Sequence, residues 1–140
     1  MEYQVTVTID NTSALCFKHY TEPEKIKKWL PQLKDVVSTE RNLFDQGSKG
    51  YFVFDQNGHD MLMEIEVIAT NHHEVTIDYR VPGAYNRCLN KFIEHEHKVI
   101  WTMDVIFLFD EDPNLSEEVF IQSTTSSMNV FKHYIEGLAK

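Results

Sequence analysis

Glycine, proline and cysteine are all scarce in this chain of 140 residues, with 5, 4 and 2 of each. So few glycines leave no phosphate-cradling loop, and the patterns GxGxxG, GxSxG and HExxH are all missing. Cys16 and Cys88 stand far apart in no CxxC spacing, which excludes a disulfide framework or a zinc site and predicts two reduced, buried thiols. Positive charge is also short: 13 Lys and Arg face 22 Asp and Glu, for a net charge of −9. No phosphate-binding field follows from that balance, so nucleic acid is not an expected partner. Long apolar runs are absent as well. The longest, Val105 to Phe109, is far below the ~20 residues that span a bilayer, so no membrane span is expected. The start, Met1-Glu2-Tyr3-Gln4, lacks the charged and apolar regions of a signal peptide, and a cytoplasmic protein is the expectation.

What is present is an ordinary globular balance: 42% hydrophobic, 12% aromatic and 25% charged residues. Residues 1–140 read as one domain without repeats or a low-complexity linker. Tyr3, Val5, Val7 and Ile9 alternate with polar neighbours, predicting a strand with one buried face. Asn11-Thr12-Ser13 offers caps for a short helix through Phe17. Thr21 and Glu24 have capping-box spacing, and Pro23 suits a first turn, so a second short helix is expected to carry Ile26, Trp29 and Leu30 up to Pro31.

Residues 33–110 read as strands and turns. Turns fall at residues 46–50 and 55–58, and Pro82-Gly83 closes a strand. Two long strands, roughly 85–95 and 98–109, are predicted to pair as a hairpin. The tail changes period. Asn114 and Glu117 resemble a capping box, after which Phe120, Thr124, Ser127, Phe131, Tyr134 and Leu138 recur at helical spacing. Lys132 and Lys140 sit toward the negative end of that helix. The order is β-α-α-β6-α, an α+β chain with an antiparallel sheet and one long C-terminal helix.

This order, together with the segment Thr21-Glu22-Pro23-Glu24-Lys25-Ile26-Lys27-Lys28-Trp29-Leu30-Pro31, resembles the START/polyketide-cyclase-like (SRPBCC) superfamily, which shares the helix-grip fold of the birch-pollen allergens. The resemblance covers residues 3–139. It implies a curved sheet wrapped around the last helix, with an elongated cavity between them for lipids, polyketides or other apolar ligands. It also implies two alternatives, since some members are cyclase or dehydratase enzymes and others activate Hsp90. A lipocalin-like barrel would want Gly-x-Trp near the first strand, whereas Trp29 follows Lys27-Lys28.

On that template the expected partner is a small hydrophobic molecule, with no cofactor and no metal. The cavity is expected to be lined from the sheet by Phe52, Phe54, Met63, Ile65 and Tyr79, then by Phe92, Trp101 and Met103. From the helix it should receive Phe120, Thr124, Ser127, Met128 and Phe131. Aromatics and Met suit an apolar pocket, but the same residues would also suit a filled core. Thr124 and Ser127 either face a ligand or bond their own i−4 carbonyls. A solid core with no void above about 300 Å³ would count decisively against a binding protein.

Asp78, Tyr79, Arg80, Arg87, Asn90 and Asp104 are the groups that could do acid–base work, and an enzyme would need Tyr79, Arg87, Asn90 or Asp104 to point inward beside another polar group. Parity puts Asp104 on the outer face, with Ile100, Ile106 and Leu108, a covered patch suited to a homodimer contact. His95-Glu96-His97 could share a strand face but reads as a solvated hairpin tip, and His72-His73 as a turn. Lys25, Lys27, Lys28 and Lys34 could meet an acidic partner or simply form a wet helix face.

Overall fold

The computed structural model describes residues 1–39 and 42–139. Lys140, expected near the end of the last helix, lies outside the described residues.

The elements are β1 (Glu2–Ile9), α1 (Ser13–Thr21), α2 (Pro23–Ile26), β2 (Leu33–Ser38), β3 (Lys49–Gln56), β4 (His59–Thr70), β5 (Glu74–Val81), β6 (Ala84–His95), β7 (Lys98–Phe109) and α3 (Glu117–Glu136). The expected β-α-α-β6-α order is the observed one. All seven strands form one antiparallel sheet in the order β1-β7-β6-β5-β4-β3-β2. Consecutive strands from β2 to β7 are neighbours because short turns join them. Asn57 and Gly58, both at positive φ, make the two-residue link between β3 and β4, and Glu96 and His97 do the same between β6 and β7. Pro82 with Gly83 at φ 84° turns β5 into β6. Register slips at Leu33/Asp35 and Val67/Ala69 add local bend and twist to the sheet.

Alternation decides the faces. Ile65 and Val67 on β4, Val75 and Ile77 on β5, and Trp101, Met103 and Val105 on β7 are buried on the concave side. Asp104 is outward, as its parity required, and accepts a 2.7 Å hydrogen bond from the Gln4 side chain. Ile106 and Leu108 also stand outward, 36% and 60% exposed, while Ile100 is half-buried.

Two helix starts differ from expectation. The α1 helix runs on to Thr21, which is therefore a helical residue and not the cap of α2, and its hydroxyl points back to donate to the Phe17 carbonyl at 2.7 Å. Glu22 is the N-cap of α2 without a side-chain bond, and Pro23 takes the first turn. That helix ends at Ile26, so Trp29 and Leu30 lie in the turn beyond it. At α3 the N-cap is Ser116; Asn114 is instead held at φ 57° in a turn, its N–H donating to the Asp112 side chain. Thr12 does cap α1, accepting from the Leu15 N–H at 3.2 Å.

Helix α3 is tied to the edge strand β1 and the turn after it. The Tyr3 hydroxyl meets Thr124 Oγ1 at 2.7 Å and donates to the Phe120 carbonyl at 3.3 Å. At the other end Glu136 accepts from the Asp10 N–H at 2.8 Å, and the buried Asn11 amide donates to the Ile135 carbonyl at 2.9 Å. These bonds hold the helix along one side of the concave face.

Candidate cavity between sheet and helix

One end of the space between helix and sheet is solid. The Phe131 ring lies 4.7 Å from Trp29, 5.0 Å from Trp101 and 5.5 Å from Tyr20, all edge-on. Phe92 stacks on Trp101 at 5.2 Å. The other end is closed by Phe120, 5.3 Å from Phe107 and 5.4 Å from Phe109. Between these plugs an apolar cavity of about 250 Å³ remains.

Its sheet wall holds Phe52, Phe54, Met63, Tyr79, Trp101 and Met103. Its helix wall holds Thr124, Ser127 and Met128. These nine are among the residues the sequence placed there. Four others fall elsewhere. Phe92 and Phe131 belong to the aromatic plug, and Phe120 to the opposite closure. Ile65 pairs in register with Gly50, a residue without a side chain, and Leu43 packs into the room this leaves. The wall also includes residues that alternation did not reveal: Tyr20 from α1, Ile26 from α2, Trp29 and Leu30 from the turn beyond it, and Phe44 from the β2–β3 connection. Their presence depends on how the segment 21–31 folds over the sheet, where the Trp29 indole donates to the His19 carbonyl at 2.8 Å. Ile77, Asn86 and Cys88 complete the sheet side, and Ser123 the helix side. Their own strand parities put Ile77 and Cys88 inward, a signal available in the sequence.

The hydroxyl run of α3 divides into different roles. Thr125 donates to its own i−4 carbonyl, that of Ile121, at 2.7 Å. Thr124 is engaged by Tyr3. Ser123 and Ser127 are exposed and mark the open side of the cavity.

No charged side chain lines this cavity among the described residues. Of the six groups that could do acid–base work, Arg87 faces outward and grips Asp78 through two bonds of 2.7 and 3.0 Å, and Arg80 lies 3.8 Å from Asp78 and 3.6 Å from Glu66. Asp104 is outward too. Asn90 is inward and fully buried: it accepts from Trp101 Nε1 at 3.0 Å and donates to the Val75 carbonyl at 3.4 Å. Tyr79 is inward beside Tyr20. Burial pushes the hydroxyls of both tyrosines above their ordinary range, so each stays protonated. Burial likewise pushes the Cys88 thiol up to about 12, with a smaller push from Asp78. The polar groups facing the cavity are therefore neutral hydroxyls, an amide and a thiol.

Outside the cavity, His95, Glu96 and His97 are exposed at the hairpin tip, and no three metal-binding side chains cluster among the described residues. His19 is buried and within 2.9 Å of the Tyr134 hydroxyl. Burial, then Lys25, Lys28 and Lys18, lower its pKa. Both cysteines are free and buried. No helix of the described residues is long and apolar enough to cross a membrane.

A curved seven-stranded antiparallel sheet gripping a long C-terminal helix is the helix-grip fold, and this chain has it. Among solved structures it is similar to Ara h 8.0201, with a TM-score of 0.80 and 16% identity over 98% of this chain and 95% of that one. It is also similar to DynU16, from the dynemicin biosynthetic locus, with a TM-score of 0.75 and 12% identity over 97% of this chain and 47% of that one. The third is StfQ, a di-domain ARO/CYC from the steffimycin biosynthetic pathway, with a TM-score of 0.74 and 8% identity over 96% and 50%. This chain thus spans about half the length of the last two. No protein-family model and no curated protein sequence matches it.

Proposed function

We propose that this protein binds a small, neutral, largely apolar molecule in the cavity beneath α3. The observation that carries the reading is the wall itself: a gap of about 250 Å³ lined by Phe, Met and Trp, with only uncharged polar groups among them. A well-packed interior has few voids larger than a water molecule. Size narrows the ligand. A cavity of about 150 Å³ accepts benzene, so about 250 Å³ accommodates two fused rings, near ten non-hydrogen atoms. By the same ratio a four-ring polyketide of about 18 atoms needs about 450 Å³. At about 250 Å³ the cavity falls below the ~300 Å³ expected of a binding protein, which counts against a fully enclosed lipid or polyketide. The part of a ligand held between sheet and helix is about two rings in size, and the cavity opens past Ser123 and Ser127.

A cyclase-like activity would need a positioned acid and base. Tyr79 and Asn90 face inward, yet the cavity offers no carboxylate, imidazole or amine among the described residues to act as base, and binding without catalysis is the better-supported reading. For an Hsp90-activator-like role, two of the four candidate lysines are already paired: Lys27 with Glu24 and Asp35, and Lys34 with Asp60. Self-association through Ile106 and Leu108 and a cytoplasmic location belong to the same proposal; sedimentation at two concentrations and fractionation of the host test them.

Native mass spectrometry of protein purified from its host is the direct test. A retained molecule below about 200 Da supports the reading. A protein that is empty and also leaves its tryptophan fluorescence unchanged with tetralin at saturation refutes it.

A further inference from the structure

Two tyrosines in the cavity wall carry hydroxyls that packing does not require. The Tyr20 ring is held on four sides. It stacks on Trp29 at 5.7 Å and meets Phe92, Trp101 and Phe131 edge-on at 5.4–5.5 Å. The Tyr79 ring lies 6.3 Å from Phe52. Phenylalanine would fill either place equally well. Neither hydroxyl has a hydrogen bond within 3.5 Å to a described residue, although the two are within weaker polar reach of each other, and Tyr20 also of Asn90.

The polar atoms around them are otherwise committed. Asn90 Oδ1 takes the Trp101 indole, Asn90 Nδ2 gives to Val75, Thr124 is engaged by Tyr3, and the Trp29 indole gives to His19. Every fully buried side-chain polar atom among the described residues has a partner. The two phenols escape that closure because they border the void. Asn90 Oδ1 keeps one lone pair beside the indole, but neither it nor the neighbouring phenol lies within 3.5 Å, so neither hydroxyl has a close acceptor among the described residues. Both phenol protons at this end are therefore open to an acceptor on a ligand. It has no cation to hold an anion and no anion to hold a cation among the described residues.

Resting on the cavity reading above, we propose that Tyr20 and Tyr79 form a two-donor site for one carbonyl-type oxygen of a neutral, two-ring ligand. The rings of that ligand lie against Phe52, Phe54 and Met63, and its oxygen points to the α1–β5 side. Both phenols hold their protons through the neutral range, so recognition does not change with pH there. Asn86, opposite Tyr79 in register, donates only a long 3.5 Å contact to Cys88 Sγ and is free to serve a second polar atom of the ligand.

The test compares α-tetralone with tetralin, which differ by the ketone oxygen alone. Trp29 and Trp101, the protein's 2 tryptophans, both line the cavity, so fluorescence titration or the indole N–H resonances report binding directly. Wild-type protein should bind α-tetralone about 10- to 100-fold more tightly than tetralin, as two neutral hydrogen bonds allow. Tyr20→Phe and Tyr79→Phe should each cost α-tetralone about 3- to 10-fold and leave tetralin within about twofold. Tyr79, less enclosed than Tyr20, supplies the variant that keeps its fold. Equal binding of the two compounds overturns the two-donor site while leaving the cavity reading standing. A preference for α-tetralone that survives both substitutions also overturns it, and moves the recognition to Asn86 or the α3 hydroxyls. If neither compound binds, the cavity reading falls and takes this site with it.

Discussion

Phe131→Ala tests where the cavity ends. Phe131 is fully buried and its ring touches Tyr20, Trp29, Phe92 and Trp101 at 4.7–6.2 Å. Truncating such a ring costs about 3–5 kcal/mol in a packed core. The transfer of the lost surface accounts for about 1.5–3 kcal/mol of that. The remainder, about 1.5–2 kcal/mol, is the cost of an unfilled hole, which at ~24 cal/mol per Å³ corresponds to about 60–80 Å³. The void beneath α3 should therefore grow from about 250 Å³ to a little over 300 Å³, and into the range of drug-sized pockets. With an m-value near 2 kcal/mol/M in urea, the unfolding midpoint should fall by about 1.5–2.5 M at unchanged m. Phe131→Leu, which keeps most of the volume, should cost under about 1.5 kcal/mol. A loss below about 1 kcal/mol for the alanine variant would refute the reasoning. It would mean that the ring borders space already empty, and that the plug is part of the cavity.

Asn90→Leu should destabilise by about 1–3 kcal/mol in urea, because it leaves the buried Trp101 N–H without an acceptor. Adding Trp101→Phe should restore part of that; no recovery would assign the loss to volume instead. Gly50→Ala should lower Tm by about 10 °C, since a Cβ there collides with the Val37 carbonyl and with Leu43, prising β2 from β3; a thermal melt matching wild type would sink the idea. Burial raises the Cys16 and Cys88 thiols from 9.0 to about 12. At about pH 8 that leaves roughly a thousandth of the usual thiolate, so both should resist alkylation until the chain unfolds. Burial raises the Tyr20 and Tyr79 hydroxyls as well, so all four groups give stability that is full below the unfolded values and lost as pH rises toward the folded ones. Urea midpoints should thus hold steady from about pH 6 to 8.5 and drop between about pH 9 and 12; a flat profile across that range contradicts the burial of these groups.

Much of the fold was legible because its causes are local. A strand reveals its buried face through a period of two, as β1, β4 and β5 did. The turns at Asn57-Gly58 and Pro82-Gly83 show themselves because few residues tolerate positive φ. Helix starts were harder. Thr21 has the right spacing for a cap, but its hydroxyl is taken by the preceding helix, and spacing alone cannot tell which helix a hydroxyl serves. The same held at Asn114, two residues short of the actual cap.

The site was half legible. Parity turned Phe52, Phe54, Met63, Tyr79, Trp101 and Met103 toward the interior, where they border the cavity. It turned Phe92 and Ile65 inward just as firmly, and these have no access to the void. Tyr20, Trp29 and Phe44 come from helix ends and connections, where no period marks a face.

What the sequence determined by itself is the order of elements, the inward face of each strand and the neutral, aromatic character of the interior. Those follow from alternation, turn chemistry and residue type, each read over a few neighbouring positions. Only the tertiary structure decided which inward residues border a space and which fill one. That depends on the distance between α3 and a curved sheet, set by contacts such as Tyr3 with Thr124 and Asn11 with Ile135, whose partners are more than a hundred residues apart. Such spacing leaves no trace in local pattern, yet it separates the aromatic plug from the cavity and leaves two phenols facing a void.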